Sequence, residues 1–402
     1  MESIKNYWIK ERKKMEKKPA TNQSNTLTPY QILCTLYLTI VGIGLFSLPR
    51  TLSKEVGSDG IWVIMFSGLI VWILLFFITR LLQLFPGQTF VRFVPEILGS
   101  SRDKKMGKIM SIPFFLLFGI YYLFTMASVI RLFGETLAGA VFLHTPVEAI
   151  VIVLILATLV AATMKPYLLA KVNEFVFPIT FITFILIILV AIKYGEVTNL
   201  LPLFQSNPEQ IWKGMLTTGF SFTGYEICIL FAGYYQNTKK AMRVHTLLIL
   251  LVTIVYVVAF VASLSLFGQY EITKLQWPLL EMVKEYKSPL FVLERFESGV
   301  IAIWVTNVFV NVANMYLFLV QMISQLYHSE SHPGRKWIAW LFVPIVYALV
   351  MLPKHVQELN DWMYYVGIMN LVVVGAILFL YVVALFRRRK GDSRHASSLS
   401  SP

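Results

Sequence analysis

The chain has 402 residues, of which 57% are hydrophobic and only 14% are charged, with a formal net charge of +13. Soluble domains usually carry about 25% charged residues, so this composition excludes a water-soluble globular protein. The alternating segments of about ten residues that build membrane β-barrels are missing too, which leaves an all-α integral membrane protein as the predicted fold class.

Ten apolar segments follow one another along the chain, each about long enough to cross ~30 Å of hydrocarbon. Each is predicted to be a helix, because a helix satisfies its own backbone hydrogen bonds where water is absent. The predicted spans are 29–50, 59–84, 108–134, 146–164, 172–194, 211–235, 243–267, 296–327, 335–353 and 359–387. Between spans seven and eight, the segment 268–295 is predicted to hold a short interfacial helix with apolar residues toward the membrane.

The predicted spans divide the chain into three parts. Residues 1–27 form a basic cytoplasmic tail, 28–387 a transmembrane transporter-like domain, and 388–402 a Ser-rich cytoplasmic tail that is predicted to be disordered. Most of the 35 lysines and arginines lie in the two tails and in the loops that follow spans two, four, six and eight. This positive-inside pattern places both termini in the cytoplasm. The excess positive charge therefore indicates topology and contact with anionic lipid, and no nucleic-acid surface is expected.

Motifs for catalysis are missing from the sequence. It has no Gly-rich phosphate loop, no dinucleotide fingerprint, no His-Glu-x-x-His and no nucleophile elbow. None of the six histidines pairs with another at ligand spacing inside a span, and Cys34 and Cys228 are interpreted as buried, inert thiols. We therefore expect no enzyme, no cofactor and no metal site.

Two spans are interrupted by glycine. The first reads Ile-Val-Gly-Ile-Gly-Leu over residues 40–45 and meets Pro49, which is expected to stop the helix. The sixth reads Thr-Thr-Gly-Phe-Ser-Phe-Thr-Gly-Tyr-Glu over 217–226. These segments open two halves of five spans each, which predicts a five-plus-five inverted repeat with broken helices 1 and 6 and a ligand near the midplane. Close helix packing at small residues is the alternative for either glycine cluster alone.

Ionisable residues inside spans are candidates for function. Glu226, at the end of the second break, is expected to meet a ligand amine, to carry a coupling proton, or to pair with a neighbour. Arg131 and Glu135 stand four residues apart, which favours an intrahelical ion pair, with a gate as the second possibility.

Polar residues in two further spans complete the candidate site. In span eight, Asn307 is predicted to share one helix face with Asn311 and Asn314, beside Thr306, and interhelical hydrogen bonding is as good an explanation as ligand contact. In span three, Tyr121 is expected to face the pocket. The candidate ligand-binding residues are Gly42, Ile43, Gly44, Leu45, Tyr121, Ser221, Phe222, Thr223, Gly224, Glu226, Thr306 and Asn307, with Arg131 and Glu135 as structural or gate residues.

Over about residues 28–387 the sequence resembles the B subunits of nutrient germinant receptors from endospore-forming bacteria. These belong to the amino acid–polyamine–organocation transporter superfamily. The short motifs that carry the resemblance occur in order: Thr28-Pro29-Tyr30-Gln31, Gly42-Ile43-Gly44, Leu48-Pro49-Arg50, Phe85-Pro86-Gly87, Ile97-Leu98-Gly99, Met106-Gly107-Lys108, Arg131 with Glu135, Thr145-Pro146, Asn199-Leu200-Leu201-Pro202 and Phe220 to Glu226.

The resemblance implies a subunit of the inner spore membrane that works with an A subunit and a lipoprotein C subunit and recognises a small germinant, typically an amino acid. A proton-coupled amino-acid permease needs the same pocket, so the sequence leaves receptor and transporter open. An ion or water channel would need a continuous polar path, and too few polar positions lie outside the breaks and span eight.

Overall fold

The computed structural model describes residues 26–42, 44–99, 104–285, 296–327 and 334–399. Helix covers each predicted span within these ranges. The helices are α1 (Pro29–Ile40), α2 (Gly44–Val56), α3 (Gly60–Leu84), α4 (Phe90–Leu98), α5 (Lys104–Ala140), α6 (Val147–Ala162), α7 (Pro166–Tyr194), α8 (Pro208–Phe222), α9 (Cys228–Phe231), α10 (Ala241–Ile272), α11 (Pro278–Glu285), α12 (Phe296–Tyr327), α13 (Gly334–Met351) and α14 (Val356–Leu399).

The described helices include seven that are long and apolar enough to cross a membrane, or eight when the bent pair Pro208–Phe222 and Tyr225–Tyr234 counts as one span. The remaining predicted spans are the shorter apolar α6, with 16 residues, and the 12-residue α1 that joins α2 across a break. The all-α, five-plus-five membrane fold is confirmed, with a broken helix opening each half.

The first span begins with a capping box, in which Thr28 Oγ1 accepts from the N–H of Gln31 and the Gln31 side chain accepts from the N–H of Thr28. The expectation that Pro49 stops this span is wrong, because α2 runs through Pro49 to Val56. Neighbouring hydroxyls bond to backbone carbonyls there: Ser47 to Gly44, and Thr51 to Ser47 and Leu48.

Two short helices outside the spans pack into the protein. In α4, Phe90, Phe93 and Ile97 are buried at helical spacing. The predicted interfacial helix is present as α11, but its apolar residues Leu279 and Met282 are buried in the protein instead of lying on the membrane. It packs on α2, α7, α10 and α12, so these helices cover the apolar face that the sequence assigned to the membrane.

Two further features lie at the ends of the predicted transmembrane domain. The last helix continues from the predicted end at 387 to Leu399, where a disordered tail was expected. At the other end, Leu27 forms an isolated parallel bridge with Tyr235, so the residue before span one is tied to the end of span six. The first 25 residues of the predicted basic tail lie outside the described ranges.

Candidate functional site

The two helix breaks meet in the interior of the bundle. Gly224 lies in the left-handed region with φ 107°, and a Cβ added to it would lie 2.9 Å from the carbonyl oxygen of Thr39. A Cβ added to Gly44 would lie 2.9 Å from Ser221 Cα. Both glycines are therefore required by close approach of backbone to backbone, and Gly224 also by its conformation.

A tyrosine from the seventh span joins the two breaks. The hydroxyl of Tyr256, on α10, donates toward the carbonyl oxygens of Ile40 at 3.2 Å and Ser221 at 2.5 Å. Each carbonyl belongs to the last turn of a half-helix, where no intrahelical N–H is available. The ring of Phe222 packs edge-on against Tyr256, with ring centroids 5.1 Å apart.

Glu226 lies fully buried directly after the second break. Tyr121 donates to its Oε1 at 2.6 Å, and the hydroxyl of Tyr122 lies 3.5 Å from the same oxygen. The backbone N–H of Gly224 donates to the same carboxylate, at 3.0 Å to Oε2. Asn370 Nδ2 donates to the Tyr121 hydroxyl at 2.9 Å, which fixes that ring from α14. Glu226 thus occupies the backbone N–H of Gly224 at the second break.

The first break is covered by an asparagine of the eighth span. A Cβ added to Gly42 would lie 2.5 Å from Asn311 Nδ2, and this amide donates to the carbonyl oxygens of Leu38 and Thr39. Asn311 is 2% exposed, and its Oδ1 has no hydrogen-bond partner among the described residues. A buried acceptor of this kind is suited to an N–H donor from a ligand.

The structure brings together most of the remaining predicted residues. Leu45 is buried in the first turn of α2, and Thr223, at the second break, donates its hydroxyl proton to the carbonyl of Phe220 at 2.6 Å. Ile43 lies outside the described residues.

Thr306 does not join the breaks. It is exposed, its hydroxyl donates to Ala302 O at 2.8 Å, and it lines an apolar cavity of about 580 Å³ between α5, α6 and α12. Asn307 is half-buried on the same helix as Asn311, and its Oδ1 has no partner among the described residues. Successive residues of a helix point about 100° apart, so Thr306 and Asn307 cannot both face the breaks. We leave Thr306 out of the site.

The predicted ion pair between Arg131 and Glu135 forms, with 2.7 Å between the guanidinium and the carboxylate. Arg131 is 8% exposed and also approaches the sulfur of Met351 at the end of α13. The pair therefore links α5 to the end of the ninth span, away from the breaks.

Sequence reasoning missed several polar residues around the breaks. Tyr256 and Asn370 each stand alone in an apolar stretch of their own helix, and Asn173 lies between Lys171 and Glu174 near the start of α7, so no local pattern marked any of them. An isolated polar residue in a span was the available signal, since such a side chain has to find a partner away from lipid. Among the described residues, no group of three or more His, Cys, Asp or Glu side chains lies close enough to hold a metal ion.

Comparison with known proteins shows which sequence family the chain matches. A family model described as "Spore germination protein" matches residues 26–359. The chain is 24% identical to Spore germination protein YndE of Bacillus subtilis (strain 168) over 375 residues, covering 92% of this chain and 99% of that protein. It is 27% identical to Spore germination protein GerLB of Bacillus cereus over 361 residues, covering 88% and 93%.

Among solved structures, the fold is similar to two variants of a manganese transporter from Eremococcus coleocola. Both superpose with a TM-score of 0.56 at 13–14% identity, covering 88% of this chain and 78% of the transporter. At this identity the likeness extends to the fold alone. The fold is that of a membrane transporter.

Proposed function

The chain belongs to the spore germination protein family, and from this premise we propose that it is a membrane subunit of a nutrient germinant receptor. It binds a small germinant, an amino acid, at the meeting point of the two helix breaks. It signals germination through A and C partner subunits in the inner spore membrane, with both of its termini in the cytoplasm.

The observation that carries this proposal is the fully buried carboxylate of Glu226 beside two helix breaks that touch. A buried carboxylate favours a cationic partner, so Glu226, together with the unpartnered Oδ1 of Asn311, suits the ammonium group of an amino acid. The first turn of α2, which carries no acidic residue, offers backbone N–H groups to the ligand carboxylate.

A mechanism for signalling follows from how tightly the breaks are packed. Because Gly44 lies against the backbone of Ser221, a ligand between them has to separate α2 from α8. The ligand then binds one helix arrangement better than the other, and this difference in affinity is the free energy available to shift partner subunits.

A proton-coupled amino-acid permease is the second candidate, and the same carboxylate favours it. Glu226 contacts two tyrosine hydroxyls in the interior of a transporter fold, where a carboxyl group can gain and lose a proton as helices move. Receptor and permease share the binding step and differ in whether ligand is released on the other side.

The test is a panel of labelled amino acids, scored for binding to purified protein in detergent and for uptake into proteoliposomes. We expect saturable binding that Glu226→Gln weakens roughly tenfold or more, since a charge-assisted hydrogen bond contributes about 1.5–3 kcal/mol. Glu209→Gln is the matched control, because Glu209 is exposed and pairs only with Lys213. Uptake driven by a proton gradient would favour the permease, and no binding by any amino acid would contradict both.

A further inference from the structure

The C-terminal end of α1 is a place where a cation would be expected. The last carbonyls of a helix have no intrahelical N–H partner and carry the negative end of the helix dipole. In transporters with broken helices, such half-helix ends coordinate the coupling Na⁺ or proton. In this chain the corresponding oxygens are those of Leu38 and Thr39.

Two amide groups of α12 occupy these oxygens. Asn311 Nδ2 donates to Thr39 O at 2.5 Å and to Leu38 O at 3.3 Å. Asn314 Nδ2 donates to Thr39 Oγ1 at 3.0 Å and lies 3.4 Å from Thr35 O. The Nδ2 atoms of Asn311 and Asn314 therefore occupy the place that a metal ion would take beside these oxygens. A hard metal ion is bound by oxygen ligands, and an amide N–H cannot serve as one.

The arrangement is fastened by a reciprocal pair of amides. Asn173 Nδ2, on α7, donates to Asn314 Oδ1 at 2.8 Å, and Asn314 Nδ2 donates back to Asn173 Oδ1 at 3.2 Å. Asn173 also donates to Thr35 Oγ1 at 3.3 Å. Both asparagines are fully buried, so α1, α7 and α12 share one polar cluster that water does not reach.

No negative charge in this cluster calls for a cation. Glu174, the carboxylate next to Asn173 in the chain, accepts a hydrogen bond from Gln31 Nε2 at 2.9 Å. Glu226 is committed to Tyr121, Tyr122 and Gly224 at the other break. Neutral donors thus satisfy the oxygens, and adding a metal ion would require removing at least one amide.

We propose that Asn173, Asn311 and Asn314 replace the coupling metal cation of the fold, so that the binding site of this chain works without Na⁺ or K⁺. The inference deepens the proposed function, on which its meaning for germinant recognition rests. The cation-free state is a property of the chain itself, so it can be tested without any germinant.

The test is thermal unfolding of the purified full chain in detergent, in chloride salts of Na⁺, K⁺ or choline at constant ionic strength. A cation that binds only the folded state raises the unfolding midpoint with its concentration. We expect the same midpoint in all three salts for the wild-type chain. A saturable rise that is specific for Na⁺ or K⁺ overturns the proposal, and no amino acid enters the measurement.

A variant tests whether an amide stands in the place of a cation. Asn314→Asp puts a carboxylate beside the α1 carbonyls, and we expect its unfolding midpoint to gain a saturable rise with Na⁺. Asn173→Asp serves the same purpose if Asn314→Asp does not fold, and Asn360→Asp, on α14 outside the amide cluster, is the control. Folded aspartate variants at 314 and 173 with no cation response would contradict the replacement.

Discussion

At the scale of single residues, Gly44 decides whether the two breaks can touch. A Cβ at this position would lie 2.9 Å from Ser221 Cα, which is backbone and cannot turn aside. We expect Gly44→Leu to separate α2 from α8 and to abolish the germination response of spores that carry it. Germination with the amino-acid panel measures this, with the amount of the chain in the spore membrane checked by immunoblot.

Gly375→Leu is the matched control for this prediction. Gly375 lies exposed on α14, and a Cβ added there would meet nothing within 4 Å. We expect spores with Gly375→Leu to germinate normally. A normal response from Gly44→Leu spores as well would mean that the contact between the breaks has no part in recognition.

Tyr256 tests the contact from a third helix. Tyr256→Phe keeps the ring and removes the hydroxyl that approaches Ile40 O and Ser221 O. The Ile40 carbonyl keeps the N–H of Gly42, but the Ser221 carbonyl is left without this donor. A buried group without a partner costs about 1–3 kcal/mol, so we expect a lower unfolding midpoint in detergent. Tyr37→Phe is the control, because Tyr37 is as deeply buried on α1 but its hydroxyl bonds to neither break. Equal midpoints for the two variants would count against the role given to Tyr256.

At the residue scale, the sequence is most informative where the backbone requires a specific side chain and least informative where only the face of a helix decides. Gly44 and Gly224 were identifiable because few other residues fit such positions. Thr306 lies away from the breaks although its neighbour Asn307 shares a helix face with Asn311, because one residue of offset turns a side chain by about 100°.

At the scale of elements, one carboxylate ties the two halves together. Asp59, between α2 and α3, accepts from the backbone N–H groups of Gln205 at 2.8 Å and Ser206 at 2.7 Å, and from that of Phe204. These residues lead into α8, the first half of the second broken helix. Asp59 therefore holds the start of α8 against the end of α2.

We expect Asp59→Ala to destabilise the chain, because three backbone N–H groups of a partly exposed segment lose their carboxylate acceptor and an intramolecular hydrogen bond contributes about 0.5–1.5 kcal/mol. Hydrogen exchange of residues 201–207 is expected to speed up along with a fall in the unfolding midpoint. Glu209→Ala, two residues beyond this segment and exposed, is the control. Unchanged exchange in Asp59→Ala would show that other contacts hold the segment.

The elements themselves were largely predictable, since an apolar run of about twenty residues leaves the backbone no alternative to helix. What the sequence could not supply was how helices continue or pack. Proline at 49 indicated a stop, yet α2 continues through it to Val56. The apolar face of α11 indicated membrane contact, and the bundle covers it instead.

At the scale of the whole molecule, the placement of the termini depends on every predicted span crossing. The weakest case is α6, whose 16 residues extend only about 24 Å at ~1.5 Å per residue, less than ~30 Å of hydrocarbon. If α6 did not cross, the loops after it would exchange sides. The positive-inside pattern argues that it does, because Lys165 and Lys171 follow it on the predicted cytoplasmic side.

Cysteine accessibility tests this topology in a Cys34→Ser, Cys228→Ser background, which removes two buried thiols. His144→Cys and Lys165→Cys place single exposed thiols in the loops before and after α6. We expect a membrane-impermeant maleimide to label His144→Cys in intact cells and Lys165→Cys only after permeabilisation. Labelling of both from outside would show that α6 does not cross, and the even number of spans that brings both termini to the cytoplasm would be lost.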